Sequence, residues 1–321
     1  MAMTLNDMKV GMNDKVSEQV VDIFVRESEI LQALPFDNCV SPSGGSTLTY
    51  TYLQTMLPSV ATFRGLNTEY SANEATLTKK FADLKIFGGK FSMDRVLKQA
   101  EGKFNNMAFQ MEQKIKAAVG LFHYTLINGD ATTNALEFDG LDKMLAGTTS
   151  EFNAEGSIDI STMENLKNNA DQFYEMLQNL IKATEADALL LNAATISKIQ
   201  TMARILGYKT ESEEAFGKKI TTMDGVRFMD LKNVYSNAEG APVATPCVPV
   251  SAEGVTDIYA VKFDVNDGFH GVTLTGNSGI TQYVPDFTKP GAVKDGEVEM
   301  VAATVLKNTA HAGVMRNIKL V

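Results

Sequence analysis

The chain is poor in the residues that build most recognisable chemical sites. Among 321 residues it has two cysteines, Cys39 and Cys247, and three histidines, His123, His270 and His311. Two cysteines so far apart form neither a disulfide framework nor a metal cluster, which suits a reducing compartment. No histidine has a partner ligand at the spacing of a metal motif. The sequence therefore predicts no metal and no cofactor.

Nucleotide-binding and hydrolase motifs are also missing. The Gly-Lys pairs at 89–90 and 217–218 are followed by Phe91 and Lys219, where a P-loop requires Ser or Thr. The sequence has neither a dinucleotide fingerprint nor a nucleophile elbow. Residues 264–268 only faintly resemble the start of a calcium loop, and the acid that should close such a loop is absent. We therefore expect a protein that is not an enzyme.

Acidic residues outnumber basic residues in this chain. There are 29 Lys and Arg against 39 Asp and Glu, which gives a net charge of −10. A tight nucleic-acid binder is usually basic, so strong DNA binding by the single subunit is not expected. No apolar run approaches the roughly 18 residues of a membrane span, and no signal-peptide pattern is present. The sequence thus predicts no membrane partner.

Proline is absent from a long internal stretch. All eight prolines fall outside residues 59–241. Because proline breaks helices, the proline-free region has room for long ones. The prolines within 242–249 mark a loop.

The longest helical pattern covers residues 94–128 and organises the chain. At about 1.5 Å per residue this helix would span about 50 Å. Ser92 or Asp94 can cap its start, and Asn128-Gly129 predicts a left-handed stop. Strand-like sequence on both sides indicates a spine that carries sheets and loops, rather than a coiled coil. Its apolar residues recur three or four positions apart, at Leu97, Ala100, Phe104, Met107, Met111, Ile115, Ala118, Phe122 and Leu126.

The chain before this helix changes character at Pro35. Residues 4–34 are amphipathic with helical spacing, whereas residues 39–46 have the Pro and Gly content of a loop. Residues 47–57 and 77–91 are rich in strand formers, and Gly88-Gly89 predicts a bulge or bend in the second of these strands. Polar, turn-like sequence joins the two strands.

These two strands form a long excursion with little apolar content. An isolated two-stranded ribbon is marginal in water, so it should lie on another surface. We expect that surface to belong to another copy of the protein. The alternative is an ordinary surface hairpin within a sheet.

The rest of the chain alternates helices and strands, which predicts an α/β unit over roughly 131–275. The closing strands are expected to return to the long helix, so the first domain would be discontinuous. The predicted helices are 161–184 and 193–206, and the predicted strands are 188–191, 225–231, 258–263, 297–306 and 314–320.

The order of these elements resembles the major capsid proteins of tailed double-stranded-DNA bacteriophages, whose fold is shared with encapsulin shells. The resemblance covers essentially the whole chain and depends on the order and spacing of several short segments. These segments are 34–37, 84–89 leading to 93–95, 138–142, 188–192, 258–261 and 310–320.

The resemblance implies an α+β fold with four parts. Residues 1–37 would be an N-terminal arm, and 38–91 an extended β-hairpin loop with its base. Residues 92–130 plus 276–321 would form a peripheral domain with the spine helix. Residues 131–275 would form an α/β axial domain at the centre of each capsomer.

The same resemblance implies a structural function. The protein would assemble with itself into hexamers and pentamers of an icosahedral phage head, formed in the host bacterial cytoplasm and present in the virion. Scaffolding, portal and decoration proteins are expected partners, and double-stranded DNA would be enclosed without sequence-specific binding. We expect intersubunit contacts from the charged residues of the excursion, namely Arg64, Glu69, Glu74, Lys79 and Lys80.

Two alternatives stay open: an encapsulin-type nanocompartment shell and an enzyme with an unrecognised site in 131–275. Some capsid relatives also join neighbouring subunits by a bond between Lys and Asn with a nearby Glu. Lys79 or Lys80 and Asn308 or Asn317 could supply the pair. However, residues 300–321 contain no Asp or Glu, and the nearby candidates are Glu297 and Glu299. Cross-linking is therefore not expected.

Overall fold

The computed structural model describes residues 28–41, 47–57, 59–100, 106–153, 156–207, 211–215, 218–238, 241–275 and 280–321. The helices in these ranges are α1 Glu29–Ala33, α2 Arg95–Gln99, α3 Asn106–Asn128, α4 Leu141–Leu145, α5 Met163–Asn168, α6 Ala170–Thr184 and α7 Ala193–Leu206. Among them, none is long and apolar enough to cross a membrane.

The strands are β1 Phe36–Val40, β2 Thr49–Leu57, β3 Thr76–Asp83, β4 Lys85–Asp94, β5 Glu151–Phe152, β6 Ile158–Asp159, β7 Ala188–Leu191, β8 Glu211–Ala215 and β9 Lys218–Met223. They continue with β10 Val226–Asp230, β11 Asn233–Ala238, β12 Ala241–Pro246, β13 Val255–Val261, β14 Phe269–Leu274, β15 Thr281–Tyr283, β16 Val293–Leu306 and β17 Ala312–Lys319. This mixture of helices and strands confirms the α+β class.

An eight-stranded sheet forms one half of the body, in the order β5-β17-β13-β7-β10-β9-β8 with β6 also on β17. Both of its faces are buried, so β7 is continuously apolar, as a two-sided strand should be. Leu189 and Leu191 face the helices α6 and α7, whereas Ala188 and Leu190 face the second half of the body. The predicted strand at 188–191 is confirmed.

A five-stranded sheet, β1-β14-β16-β15 with β4 on β16, packs against the long helix α3. Phe122 and Leu126 of α3 are completely buried in this core. The helix is confirmed over Asn106–Asn128. The prediction of one helix from residue 94 is wrong at its start, because Asp94 lies in β4 and caps the short α2, and Ala100 lies in a turn. Residues 101–105 of that prediction lie outside the described residues.

The end of α3 also differs from the prediction. Neither Asn128 nor Gly129 has a positive φ angle, so the left-handed stop is wrong. Gly129 is required instead by a close approach: a Cβ atom there would lie 2.2 Å from the carbonyl oxygen of Phe138. The chain turns away at this point to start the 130–139 segment.

The strand predicted over 77–91 is two strands in different sheets. The ladder of β3 ends at Asp83, and the buried side chain of Leu84 separates it from β4. The predicted bulge at Gly88-Gly89 is wrong, because β4 and β16 pair without a register shift. At Gly88 the backbones approach so closely that a Cβ would meet the carbonyl oxygen of Val298 at 1.9 Å.

Three smaller predictions need correction. Cys39 belongs to strand β1, not to a loop, whereas 42–46 lies outside the described residues. The helix predicted over 161–184 is divided at Asn169 into α5 and α6. Of the amphipathic stretch 4–34, the described part contains α1, and residues 4–27 lie outside.

The two closing strands, β16 and β17, lie in different sheets. As predicted, β16 contacts the long helix. The last strand belongs to the other sheet, because β17 pairs with β13 in the eight-stranded sheet, where Val314 faces Tyr259. The chain therefore ends by joining the two halves of the body.

A charged cluster fixes this last strand. The side chain of Arg316 donates to Glu151 at 2.8 Å and to Asp257 at 2.8 Å, and it also bonds to Asp142. The hydroxyl of Tyr259 donates to Asp142 at 3.0 Å. Hydrogen bonds to Asp142 and Asp257 raise the pKa of Arg316 against the opposing effect of its burial. One guanidinium thus holds carboxylates from three separate segments.

Candidate intersubunit surface

Strands β2 and β3 form a hairpin that pairs with no other strand of the described chain. The register runs from Thr49 opposite Asp83 to Leu57 opposite Thr76, with one irregularity near Thr55. The strand predicted over 47–57 is thereby confirmed, and the strand predicted over 77–91 is confirmed within the hairpin only for its first part, β3. Since successive side chains alternate between faces, the hairpin has two distinct surfaces.

The inner face attaches the hairpin to the body at its root. The hydroxyl of Tyr50 donates to Asp37 at 3.0 Å, and its ring meets the edge of buried His270, with the ring centres 6.1 Å apart. Further along the strand, the side-chain amide of Gln54 donates to the carbonyl oxygen of Lys307 at 3.1 Å. These contacts set the direction in which the hairpin leaves the body.

The outer face is apolar and exposed. The register places Leu53 opposite Lys79 and Phe81 opposite Thr51 on this face, with Leu77 on the same side. The exposed fractions are 64% for Leu53, 62% for Leu77 and 63% for Phe81. A sheet face of this kind normally packs against something, so it points to a partner outside the subunit.

The tip of the hairpin, residues 59–75, is exposed as well. Residues 59–75 contain neither strand nor helix, and one contact across them is Val60 N–H donating to the side chain of Asn73 at 2.8 Å. Phe63 is fully exposed and Leu66 is 91% exposed. The tip therefore presents large apolar groups to solvent.

The five predicted contact residues all lie on this hairpin and are all exposed. Arg64 lies over the ring of Tyr70 at 5.4 Å, and none of the five forms an ion pair with another described residue. Arg64, Glu69 and Glu74 belong to the tip, whereas Lys79 and Lys80 are neighbours in β3 that point to opposite faces. The subunit does not bring them into one cluster. Their role in contacts stays a prediction.

Sequence reasoning missed the apolar half of this surface. The segment has few large aliphatic residues, which suggested a surface made of charge. A period-two count gives the missing signal: Tyr50 and Tyr52 occupy one face of β2, and Leu53 the other. This count predicts an apolar outer face as well as an apolar inner one.

Lys80 faces a cleft of about 560 Å³ between the hairpin and the body. Asn308 and Asp267 line the same cleft, together with Gln54 and Lys307. The side chain of Asn308 accepts a hydrogen bond from Ala310 N–H at 3.0 Å and so caps the short turn that follows. The other candidates for cross-linking lie elsewhere: Asn317 donates to the carbonyl oxygen of Asn153, and Glu297 is on β16.

The histidines have structural positions. His123 is buried in α3 with Nε2 2.8 Å from the Ser28 hydroxyl, and His270 is completely buried beneath the hairpin root. Burial lowers the pKa of His270, so its ring is neutral near pH 7. His311 lies against Asp267 with Nδ1 3.5 Å from a carboxylate oxygen. Within the described ranges, no group of three or more His, Cys, Asp or Glu residues is placed to hold a metal ion.

Comparison with solved structures shows which fold this is. The holo-SrpI encapsulin complex from Synechococcus elongatus aligns with a TM-score of 0.64 at 13% identity, over 99% of this chain and 97% of its own. A structure from Mycobacterium phage Bobi aligns with a TM-score of 0.57 at 12% identity, over 99% of both chains. The capsid of a native GTA particle aligns at 0.57 and 10% identity, over 98% of this chain and all of its own.

The predicted capsid fold is therefore confirmed, at identities so low that the likeness concerns the fold alone. No protein-family model matches the sequence, and no curated protein matches it.

Proposed function

We propose that the protein is the structural subunit of an icosahedral phage head. The observation that carries the proposal is the fold itself, which aligns end to end with capsid and shell subunits. The exposed hairpin supports it, because a surface without a partner in its own subunit suits a chain that works in many copies. The subunit acts by self-assembly and not by catalysis.

In this proposal the hairpin is the extended loop within 38–91, and it overlaps a neighbouring subunit. Residues 1–37 are the N-terminal arm. Residues 92–130 with 276–321 form the peripheral domain, and 131–275 form the axial domain at the capsomer centre. The position of β17 in the eight-stranded sheet means that the last residues connect the two domains.

The charged side chains of the hairpin contribute specificity at these contacts. Arg64, Glu69, Glu74, Lys79 and Lys80 meet oppositely charged groups of the neighbour in hexamers and pentamers. An exposed charge pair contributes only about 0–1 kcal/mol. A shell repeats each contact many times, so weak pairs add up, while wrong contacts can still dissociate during assembly.

The net charge of −10 suits a container for DNA. A shell of acidic subunits repels the phosphate backbone and so encloses double-stranded DNA without binding it tightly. Scaffolding, portal and decoration proteins are the further partners of such a head. Assembly in the host bacterial cytoplasm and residence in the virion complete the proposal.

A second candidate is an encapsulin-type nanocompartment. The observation that favours it is the encapsulin alignment, with a TM-score above those of the phage Bobi and GTA structures described here. The two functions differ in what the shell contains, and the fold is common to both.

Electron microscopy of the expressed protein tests both candidates. We expect closed particles, and long nuclease-protected DNA inside particles from the native source identifies a phage head. A single co-purifying protein inside them identifies a nanocompartment. A subunit that sediments as a monomer at high concentration, with scaffold co-expressed, contradicts both.

A further inference from the structure

An apolar groove of about 410 Å³ lies beside the root of the hairpin, between the start of β4, the middle of α3 and the turn at 134–138. Its floor is aromatic: the ring centres of Phe87 and Phe122 are 6.0 Å apart, and those of Phe122 and Phe138 are 5.8 Å apart. Exposed apolar side chains form its rim, namely Ile86, Leu121 and Leu136.

Leu136 is the clearest sign that the groove is incomplete in one subunit. Its side chain is 81% exposed although it borders a buried aromatic cluster. The turn that carries it is well ordered by hydrogen bonds: Asn134 donates to Glu137 at 2.8 Å, and Lys85 donates to the carbonyl oxygen of Ala135 at 2.9 Å. The rim is thus held in place while its apolar side faces solvent.

We propose that this groove receives the hairpin tip of a second copy of the chain, with Phe63 and Leu66 as the inserted side chains. The inference rests on the proposed function and names the place at which the extended loop docks. Both surfaces are apolar, and both are exposed in the single subunit.

The tip of the same chain cannot fill the groove. The groove begins at Lys85, next to the hairpin root, and the tip lies beyond the whole length of β3. Eight paired residues at about 3.3 Å each separate the two by about 26 Å. Because β3 stays paired with β2 along this length, the hairpin cannot fold back on itself. A contact between different surfaces of identical subunits is head-to-tail, and such contacts generate rings when the rotation between subunits closes.

The first described residue of the chain, Ser28, does not lie in the groove either. It bonds to His123 of α3. Helical residues are about 100° apart around the axis, so His123 lies roughly opposite the side of α3 on which Leu121 and Thr125 line the groove. Ser28 therefore lies on the other face of the long helix.

Charge complementarity supports the same match. Glu137 is on the groove, and Arg64 is next to Phe63 in the tip. Arg64 uses one of its terminal nitrogens for the carbonyl oxygens of Gly65 and Thr68, which leaves the rest of the guanidinium for an acid of the neighbour. Insertion of Phe63 would place these opposite charges near each other.

Disulfide trapping tests the contact directly. Phe63→Cys and Leu136→Cys are made as separate variants, mixed, assembled and oxidised, and the linked peptides are identified by mass spectrometry. We expect a dimer that joins position 63 of one chain to position 136 of another. Both positions are exposed, so neither change should disturb folding. The unchanged protein, with Cys39 and Cys247, is the blank.

Met163→Cys serves as the matched control in place of Leu136→Cys, because Met163 is an exposed apolar residue of α5 outside the groove. Particles that form without a 63–136 link, or that give as much 63–163 link, overturn the inference and leave the shell proposal intact. An unchanged protein that forms no large assembly overturns the shell proposal. A further variant carries both Phe63→Cys and Leu136→Cys in one chain. If its 63–136 link forms within single chains and not between chains, the inference is also overturned.

A second experiment uses charge. Leu136→Asp should leave thermal unfolding nearly unchanged and abolish closed particles, whereas Met163→Asp should leave both unchanged. Normal particles from Leu136→Asp overturn the inference.

Discussion

The hairpin and the eight-stranded sheet differ in how far their apolar side chains are exposed. Every residue of β7 is completely buried, with apolar partners on both faces. In the hairpin, Leu53 and Phe81 are mostly exposed, whereas Tyr50 at the root is buried. The same chain thus contains one β structure stabilised by its own core and another whose apolar face is exposed in the single subunit. If the proposed shell forms, folding and assembly depend on different regions.

The largest expected loss of stability comes from the charged cluster in the sheet. Arg316→Ala leaves Glu151 and Asp257, whose side chains are 17% and 24% exposed, without their cation. Removing one member of such a pair costs about 3–5 kcal/mol. Urea unfolding of the unassembled subunit measures the loss. Lys143→Ala is the control, because Lys143 bonds Asp130 and Asp139 near the surface and should cost about 0–1 kcal/mol. Equal losses of unfolding free energy in Arg316→Ala and Lys143→Ala would contradict the expected difference between the two charged clusters.

A matched leucine pair tests the comparison itself. Leu190→Ala empties a completely buried position in the central strand and should cost about 2–5 kcal/mol. Leu53→Ala removes the same atoms from the exposed hairpin and should change the free energy of unfolding by less than about 0.5 kcal/mol. If Leu53→Ala destabilises the isolated subunit as much as Leu190→Ala, the hairpin is part of the folding core.

A smaller effect is expected from pH at the border between the two regions. The pKa of His270 is lowered from 6.5 mainly by burial, with Lys307 lowering it further and Asp37 and Asp264 raising it. The unfolded chain therefore binds a proton before the folded one does. Stability from this group is complete above about pH 6.5 and falls as pH drops toward the lowered pKa.

Unfolding at pH 7 and pH 5 measures this effect. His270→Gln should reduce the loss of stability on acidification, because it removes the buried imidazole. The protein also carries acids such as Asp159, whose pKa is lowered to about 2 by bonds to Ser161. They stay charged at both pH values. An unchanged pH response in His270→Gln would show that the hairpin root does not sense acid through this ring.

The sequence predicted the positions of helices and strands better than it predicted which of them pair with each other. The long helix, β7 and the two hairpin strands carry strong local patterns, and each is found. The break at Leu84 has no local signal, since the residues on both sides form strands and only pairing partners separate them. The Arg316 cluster could not be predicted, because its carboxylates come from positions 142, 151 and 257.

The apolar character of the hairpin was underestimated for a related reason. Composition averages over both faces of a strand, whereas exposure depends on which residues share a face. Once the register places Leu53, Leu77 and Phe81 together, a thin apolar content becomes a continuous exposed stripe. Charged residues can be read directly from a sequence. Which residues lie on the same face of a hairpin depends on how its strands pair.

Removal of the hairpin tip tests the division between folding and assembly most directly. Leu57 and Thr76 pair across the ladder, so residues 58–75 can be replaced by Asn-Gly, which favours a tight hairpin turn. The root contacts of Tyr50 and Gln54 remain. Thermal unfolding and particle formation are then measured on the same sample. We predict an unchanged unfolding temperature with assembly arrested at capsomers or smaller species. Closed particles, or a subunit that no longer folds, would contradict the account.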